Sequence, residues 1–266
     1  MTVHEIAGEI LKSKKYSNVD RSVIERITAE TMPKYAKQKD IVKAVKKELH
    51  IIHESFLQVE CYSKADKILN TYIGDDIKTD RDLALRLMEL HTSTKERLGQ
   101  ETEIYDFICK YVKTGDIVID IGCGFNPFTL PFFTDLPEEY IAYDIDSSTI
   151  QTLEAYFRLA GLPYRSEICD AVVRTPSEQG DTLLLLKLFP LLERQKKGRA
   201  FEILEKMEYR TSIVSFPLKS TSGKEKGMEA FYTENFENGL PSSLSIIEKV
   251  KFFNEIFYIV EKHPPV

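Results

Sequence analysis

The stretch from Ile117 to Leu130, IVIDIGCGFNPFTL, constrains the fold more than any other part of this chain. It begins with an apolar, β-branched run, which is typical of a buried parallel strand. Gly122 and Gly124 follow, and glycine lets the backbone turn sharply and approach a ligand closely. Pro127 then fits the first turn of a helix. The stretch therefore predicts a strand, a glycine loop and a helix, the first unit of a nucleotide-binding α/β domain.

The glycine loop does not match two common phosphate-binding motifs. A dinucleotide fingerprint that starts at Gly122 would need glycine where Pro127 stands, and no G-K-[ST] of a phosphate loop follows. Asp120 closes the strand just before the loop, an arrangement typical of S-adenosylmethionine (SAM) methyltransferases. A carboxylate suits SAM because this cofactor carries a cationic sulfonium and no pyrophosphate. The alternative is an ordinary strand–turn–helix corner whose glycines serve only its geometry.

Composition is that of an ordinary globular protein. The 266 residues can bury a full core, and the hydrophobic content of 42% and charged content of 29% are usual for a soluble chain. We find no apolar run long enough to span a membrane and no signal-peptide core, so we expect no membrane contact and a cytoplasmic location. The four cysteines lack C-x-x-C spacing, which argues against a zinc site or a disulfide framework, and we expect no metal.

Charge is distributed unevenly along the chain. Residues 1–50 contain eleven Lys or Arg and seven Asp or Glu, a local charge of +4, which leaves −10 for the remainder of a chain whose net charge is −6. The lysines crowd one region: Lys34, Lys37, Lys39, Lys43, Lys46 and Lys47. Such a basic segment on an acidic body is compatible with docking on a polyanion. A solvated helical face rich in lysine explains the same charges equally well.

Apolar residues at helical spacing predict an all-helical N-terminal region. The predicted helices cover residues 3–12, 20–35, 39–57, 62–72 and 80–90. Asp20 precedes the second of them as an N-cap candidate. Because strand patterns are lacking here, residues 1–90 are predicted to form a separate helical module, and residues 91–266 a second domain.

The segment His91–Leu98, HTSTKERL, follows this region. Ser93 and Glu96 have the spacing of a capping box, which alone would explain both residues. Arg97 would then lie in the first turn of a helix, where the helix dipole disfavours a cation. We therefore expect a partner for Arg97, either a nearby surface carboxylate or the carboxylate of a ligand.

Alternating strands and helices occupy the rest of the chain. Strands are predicted at 117–121, 140–143, 166–169, 182–188 and 212–216, helices at 147–160 and 191–207, and a terminal hairpin at 245–260. Polar or glycine residues stand at the strand ends: Asp120, Gly122, Asp144, Asp170 and Lys187. Ligands of such sheets bind outside the carboxyl ends of the strands, and an acid roughly twenty residues after the glycine loop is placed to bind ribose hydroxyls. The fold class is thus α/β, a Rossmann-like sheet of seven strands closed by an antiparallel hairpin, as in class I SAM methyltransferases.

Three segments together resemble one family. They are HTSTKERL, DIGCGFNPF and the pair KLFPLLERQKKG with SFPLKSTSGKEKGME. This combination is similar to the Arm/Rmt-type aminoglycoside-resistance enzymes, the 16S rRNA (guanine(1405)-N(7))-methyltransferases. The resemblance runs from about residue 10 to the end of the chain. The 219–227 loop departs from it, because it is less rich in arginine than the family pattern.

The resemblance implies a SAM site residue by residue. Arg97 would hold the SAM carboxylate with Thr92, Ser93 and Thr94 beside it, and Lys187 would place the target nucleotide as the catalytic residue. The remaining cofactor contacts implied are Phe56, Gly122 at the methionine part, Asp144 at the ribose, Asp170 with Ala171 at the adenine, Leu186 and Gln195. Independently of the resemblance, the charge distribution suggests rRNA contacts at Lys43, Lys46 and Lys47, and the acceptors of guanine suggest contacts at Arg194 and Lys219. The implied substrate is 16S rRNA in the 30S subunit, and the expected state is a monomer.

The chemistry of the implied target is simple. Guanine N7 has a lone pair and no proton to lose, so methyl transfer needs alignment and no general base. The chain also lacks the N-P-P-[YF] motif used on exocyclic amines. Two alternatives stay open on the residues alone. One is methylation of another rRNA position, such as adenine N1, and the other is a SAM- or RNA-binding protein without activity.

Overall fold

A seven-stranded mixed sheet forms the centre of the molecule. The computed structural model of the chain describes residues 2–57, 60–218 and 228–263. The strands are β1 (Ile117–Ile121), β2 (Glu139–Asp144), β3 (Arg165–Ile168), β4 (Thr182–Leu186), β5 (Thr211–Pro217), β6 (Leu244–Lys251) and β7 (Glu255–Lys262). Their order is β3-β2-β1-β4-β5-β7-β6, and β7 runs antiparallel to both of its neighbours. The predicted fold class, including the terminal hairpin, is confirmed.

The order of the parallel strands changes direction between β1 and β4: β2 and β3 follow on one side of β1, and β4 and β5 on the other. β1 pairs with β2 on one side and with β4 on the other, and Ile119 stands opposite Ile141 and Leu183. All five residues of β4 are buried, as expected for a strand that helices cover on both faces. Ligands of open α/β sheets bind in the crevice at this kind of switch point. The topology therefore opens a crevice at the carboxyl ends of β1 and β4.

Eleven α-helices are present in the described residues. They are α1 (Val3–Leu11), α2 (Arg21–Thr31), α3 (Gln38–Ile52), α4 (Cys61–Asn70), α5 (Arg81–Met88), α6 (Thr92–Lys95), α7 (Glu101–Cys109), α8 (Ser147–Leu159), α9 (Phe189–Gln195), α10 (Arg199–Lys206) and α11 (Met228–Gly239). A 3-10 helix, Asn126–Phe132, follows the glycine loop and carries Pro127 in its first turn. Asp20 caps α2 as predicted, since its side chain accepts a hydrogen bond from the amide of Ser22.

Three apolar clusters hold the molecule together. Two lie on the opposite faces of the sheet, and α4 and α5 contribute to one of them through residues such as Leu69 and Leu87. The third lies within α1, α2 and α3 and includes Ile6, Val23 and Leu49. The first three helices thus have a core of their own, whereas α4 and α5 share the core of the sheet. The boundary at residue 90 stays a prediction, and the division between apolar cores falls after α3.

The first three helices attach to the turn between β2 and α8. The amide of Asp20 donates to the carbonyl of Ile145 at 2.8 Å, and the carbonyl of Asn18 accepts from the amide of Ser147 at 2.8 Å. Ile145 also packs against the apolar cluster of these helices. This turn carries polar side chains of the predicted ligand crevice. Helices α1 to α3, which we call the helical layer, therefore lie beside that crevice.

The structure corrects three local predictions. The helix expected at 191–207 is two helices, because Gly198 adopts φ 81° between α9 and α10. The capping box at Ser93 and Glu96 does not form: α6 begins after His91, and the Glu96 carboxylate instead accepts from Lys187. Helix α11 was not predicted at all. Its weak amphipathic pattern in MEAFYTENFENG offers little periodic signal.

Two further properties of the described residues concern the membrane and metals. None of the helices in this part of the chain is both long and apolar enough to cross a membrane. Nor do the described His, Cys, Asp and Glu side chains form a group of three or more suited to a metal ion. The four cysteines are free thiols.

Candidate functional site

A cavity opens at the carboxyl ends of β1, β2 and β4, where the topology places a crevice. The cavity volume is about 100 Å³. Most residues predicted to bind a cofactor line it: Phe56, Ser93, Gly122, Asp144, Asp170, Ala171, Leu186 and Gln195, together with Lys187. The structure therefore brings together residues that are far apart in the sequence.

The glycine loop is tied to the end of β2. The amides of Gly122 and Cys123 both donate to the carbonyl of Tyr143, at 2.8 and 3.0 Å. Gly122 has φ 67°, and a Cβ there would lie 2.8 Å from the Leu188 side chain. A side chain there would be strained by the backbone conformation and would have to displace the Leu188 side chain. The loop leaves its backbone open toward the cavity.

The carboxylate of Asp144, at the end of β2, accepts hydrogen bonds from two backbone amides. One carboxylate oxygen accepts from the amide of Gly124 at 2.9 Å, and the other accepts from the amide of Asp146 at 3.0 Å. Burial, and then the charge of Asp146, raise the pKa of Asp144, although both amide bonds oppose the shift. Asp144 therefore shapes the glycine loop and also presents a carboxylate to the cavity that it lines.

His53 and Arg26 reach this cavity from the helical layer. His53 Nε2 lies 2.5 Å from a carboxylate oxygen of Asp146, which also caps α8. Arg26 contacts Asp170 and Gln195 on the other side of the cavity. Sequence reasoning missed both residues, because nothing in a helical pattern indicates that a polar side chain will meet a distant strand end.

Aromatic rings form the wall opposite the strands. The ring of Phe56 stacks on His91 with centroids 6.2 Å apart, and His91 stacks on Phe125 at 5.4 Å. His91 Nδ1 lies 2.8 Å from the hydroxyl of Ser93. Burial first, and then the charges of His53 and Lys187, lower the pKa of His91 to about 3. The imidazole is therefore neutral near pH 7 and forms an uncharged wall.

Lys187 lies between this cavity and a neighbouring groove. It is 5% exposed and adopts φ 58°, a left-handed conformation that non-glycine residues seldom adopt. Its amide donates to both the carbonyl and the hydroxyl of Ser215, which holds this conformation. Its ammonium contacts the carbonyl of Ser93 at 3.2 Å, Glu96 at 2.6 Å and Glu255 at 3.4 Å. Backbone strain of this kind is concentrated at functional sites.

Arg97 lies behind the cavity wall in a buried network. Its guanidinium donates to both oxygens of Glu255, at 2.9 and 2.8 Å, and to Tyr105 and Asn126, both at 2.9 Å. Asn126 in turn donates to Asp120 at 2.9 Å. Burial opposes ionisation of Glu255, but the charges of Arg97 and Lys187 lower its pKa to about 2. The network thus connects the start of β7 with the glycine loop.

This network supplies a partner for Arg97. That partner is not a surface carboxylate but the buried Glu255, 158 residues away. Arg97 follows α6 and precedes α7, so it is not in the first turn of a helix. Thr94 is likewise fully buried and donates to the carbonyl of Met88. Neither residue is among the described residues that line the cavity, whereas Thr92 lines the groove beside it.

That neighbouring groove is larger, with a volume of about 970 Å³. Helices α9 and α11 contribute much of its lining, and Phe56 and Lys187 belong to both the groove and the first cavity. Arg194 also lines it and makes a bidentate pair with Glu48 of α3, at 3.1 and 2.9 Å. A small-molecule cavity and a larger groove therefore meet at Lys187.

Three of the predicted rRNA-binding residues, the lysines of α3, fall on one side of the helical layer. Lys43 and Lys47 of α3 are exposed and Lys46 is half-buried, while Val45 and Leu49 face the core. The pair between Arg194 and Glu48 places the edge of the groove directly beside this lysine face. Lys219 lies outside the described residues.

Comparison with known sequences now decides the family. The sequence model described as ribosomal RNA methyltransferase (FmrO) matches residues 12–259. The chain belongs to the FmrO family. Its relatives include a 16S rRNA (guanine(1405)-N(7))-methyltransferase of Proteus mirabilis, 32% identical over 98% of this chain and 97% of that protein. Another, from Serratia marcescens, bears the same name and is 32% identical over 99% of this chain and 100% of that protein.

A solved structure supports the membership of the FmrO family. The 16S rRNA methyltransferase RmtF, solved in complex with S-adenosyl-L-homocysteine, superimposes with a TM-score of 0.88 at 30% identity, covering 98% of each chain. The resemblance noted from the sequence motifs is therefore confirmed. The roles of the individual site residues in this FmrO-family chain remain predictions. The cavity geometry shows which of these residues line the cavity.

Proposed function

We propose that this protein transfers a methyl group from SAM to N7 of the guanine in 16S rRNA that the names of its relatives number 1405. One observation carries the proposal: a small-molecule cavity and a wider groove share Lys187 and Phe56 as a common wall. A methyltransferase needs this arrangement, because a cofactor and a large substrate must approach each other from two sides. Membership of an rRNA methyltransferase family names the chemistry and the class of substrate.

The residues of the first cavity fit SAM. Gly122 lets the cofactor approach the backbone closely, since it has no side chain and its φ of 67° disfavours one. Asp144 ends β2 beside the glycine loop, where a carboxylate accepts hydrogen bonds from ribose hydroxyls. Asp170 and Ala171 follow β3 and line the adenine end in this assignment. Leu186, Gln195, Phe56 and Ser93 complete the set.

Arg97 supports this site from behind. Its hydrogen-bonding groups engage Glu255, Tyr105 and Asn126, so we propose that it positions the glycine loop through Asn126 rather than holding the cofactor carboxylate itself. Thr94 has a comparable supporting role through its bond to Met88. Thr92 lies on the groove side and is proposed to contact the substrate edge of the site.

The chain has to align the reactants and need not remove a proton. When bound, SAM supplies an electrophilic methyl group on a sulfonium. Guanine N7 carries a lone pair and no proton, so no general base is required, and alignment supplies the rate enhancement. Guanine O6, next to N7, is an acceptor that a cation can hold.

We propose that Lys187 holds O6 and leaves the N7 lone pair free for the methyl group. Of its three oxygen partners, Glu96 has the most exposed side chain, 36%, and it also lines the groove. An ammonium group has three donors and no acceptor. The ammonium can therefore exchange the bond to Glu96 for the guanine oxygen while Ser93 and Glu255 keep it in place.

The helical layer is proposed to dock on the assembled 30S subunit. Lys43, Lys46 and Lys47 of α3 provide a basic face, Arg194 adjoins it, and Lys219 belongs to the sequence that follows β5. Because α1 to α3 have their own apolar core, we propose that they form the docking module. We further propose that the protein acts as a monomer in the cytoplasm and that the methylation confers aminoglycoside resistance.

Primer extension tests the proposal directly. Purified 30S subunits are treated with the protein and SAM, and the 16S rRNA is then cleaved chemically at N7-methylguanine before reverse transcription. The expected result is a single new stop at the guanine numbered 1405, absent without SAM. A stop at an adenine, or no stop with 30S subunits and with free 16S rRNA, would contradict the proposal.

A further inference from the structure

Arg26 joins the docking helices to the adenine end of the cavity. Its Nε donates to Asp170 Oδ2 at 2.7 Å, and its Nη2 donates to Asp170 Oδ1 at 3.4 Å and to Gln195 Oε1 at 2.9 Å. The side chains of Arg26 and Asp170 are 11% and 7% exposed. One arginine therefore fixes two polar groups that line the cavity and that follow it by 144 and 169 residues.

The contact fixes the carboxylate of Asp170. Arginine presents its donors in a planar fork, so a two-bonded carboxylate has a set plane. The amide of Val172 donates to Oδ1 at 3.0 Å in addition. A carboxylate offers about four acceptor positions, and these described partners fill three of them. Asp170 thus keeps an acceptor position, and its charge is balanced by Arg26.

The same contact fixes the amide of Gln195. Its oxygen accepts from Arg26, and its nitrogen donates to the carbonyl of Leu191 at 3.2 Å. Without such a partner the amide group can flip, which exchanges the positions of its oxygen and its nitrogen. With Arg26 in place, the nitrogen keeps a second N–H as a donor. The adenine end therefore combines an acceptor from Asp170 with a donor from Gln195.

We propose that Arg26 is a positioning residue that makes the cavity select adenine over a 6-oxopurine. The 6-amino group of adenine is a donor and meets the acceptor of Asp170, whereas a 6-oxo group would place one acceptor against another. The inference rests on the proposed function, because it takes the cavity as a SAM site with Asp170 at the adenine. Without Arg26, the carboxylate loses its set plane and its paired charge, so the selection weakens.

Calorimetry on the full chain without RNA tests this inference. The two probes are S-adenosyl-L-homocysteine and S-inosyl-L-homocysteine, which differ in the 6-amino or 6-oxo group and in the proton that N1 carries in the 6-oxo form. We expect Arg26→Met to lower the affinity ratio between the two probes by about tenfold, the effect of weakening one hydrogen bond to a charged group. Arg26→Lys keeps the charge but not the fork, so the ratio should lie between those of Arg26→Met and the native chain.

Arg21→Met is the matched control. Arg21 begins the same helix and pairs with Glu25, and its side chain is 52% exposed, so the same charge is removed away from the cavity. The ratio should then stay within about twofold of the native value, since a surface ion pair contributes little. Circular dichroism confirms that each variant is folded, and Arg26→Lys carries the test if Arg26→Met does not fold.

Two outcomes would overturn the inference, and they separate it from the proposed function. If Arg26→Met weakens both probes equally, Arg26 only supports the fold and does not select the base. If the native chain binds both probes equally, the cavity has no such selection. Failure of the native chain to bind S-adenosyl-L-homocysteine at all would instead reject the SAM site itself, and this inference with it.

Discussion

Glu255 is the residue on which the buried charges behind the cavity depend. Its carboxylate pairs with Arg97 and lies 3.4 Å from the ammonium of Lys187, and it is 1% exposed. Breaking a buried pair leaves the partner charge uncompensated and costs about 3–5 kcal/mol. We therefore expect Glu255→Gln to lower the free energy of unfolding by about this amount near pH 7, measured by urea denaturation.

The same variant should change the response to acid. The pKa of Glu255 falls from an ordinary 4.5 to about 2, so its stabilisation is complete above pH 4.5 and is lost as the pH falls through 2. Glu255→Gln should thus show a shallower loss of unfolding free energy between pH 4.5 and 3 than the native chain. Glu138→Gln, at an exposed position, is the control. Parallel curves for Glu255→Gln and the native chain would contradict the assignment.

Asp144 is expected to determine cofactor affinity. In Asp144→Asn, one of the two carboxylate oxygens becomes an NH₂ group that faces an amide donor, at Gly124 or at Asp146. The loss of a charge-assisted acceptor should weaken S-adenosyl-L-homocysteine binding by about 1.5–3 kcal/mol. Calorimetry measures the change, with the exposed Asp135→Asn as control. Unchanged affinity in a folded Asp144→Asn protein would remove Asp144 from the site.

Lys187 is expected to act on the target and not on the cofactor. Lys187→Met keeps the length of the side chain but removes the cation, so the guanine should be misplaced and the single-turnover rate should fall by on the order of a hundredfold. Binding of S-adenosyl-L-homocysteine should change little, because Gly122 and Asp144 remain. A variant that transfers the methyl group at the native rate would show that Lys187 does not place the base.

At the scale of elements, α3 has two faces with different tasks. Val45 and Leu49 pack in the core of the helical layer, while Lys43, Lys46 and Lys47 lie toward solvent. Each neutralised phosphate contact adds about −0.7 to −0.9 to the slope of log affinity against log salt. Replacing the three lysines with Gln should therefore flatten that slope for 30S binding and leave cofactor affinity unchanged.

A second triple variant with the same change in net charge tests whether the effect on 30S binding is specific to α3. Lys67, Lys110 and Lys206 are exposed lysines on or beside other helices, and their replacement with Gln removes the same three charges. The slope should then keep its native value. If both triple variants flatten it equally, α3 has no special part in docking.

Elements were predictable where the determinants are local. The strand before Gly122, the acid at the end of β2 and the cap at Asp20 follow from short patterns, and the structure has each of them. The break at Gly198 is local too, but a single glycine inside a helical pattern does not show whether the helix will end there. Helix α11 escaped prediction because its apolar residues lack a regular period.

At the scale of the molecule, the limits of prediction are set by distance along the chain. The pairs Arg97–Glu255 and Arg26–Asp170 span 158 and 144 residues, and neither partner has a sequence pattern that points to the other. The predicted cofactor residues came largely to one cavity, because strand ends of a parallel sheet share one edge. Which of them face the cavity and which stand behind it depended on partners that only the folded chain reveals.

The separate core of α1 to α3 has a consequence for the order in which the protein is made. This core is complete once residue 52 has left the ribosome, so the helical layer can pack before any strand exists. The hydrogen bond between Arg26 and Gln195 can form only after Gln195 has been synthesised, 169 residues later. At the usual rate, synthesis of these residues takes about ten to thirty seconds. A nascent chain can therefore present the lysine face of α3 long before it can hold a cofactor.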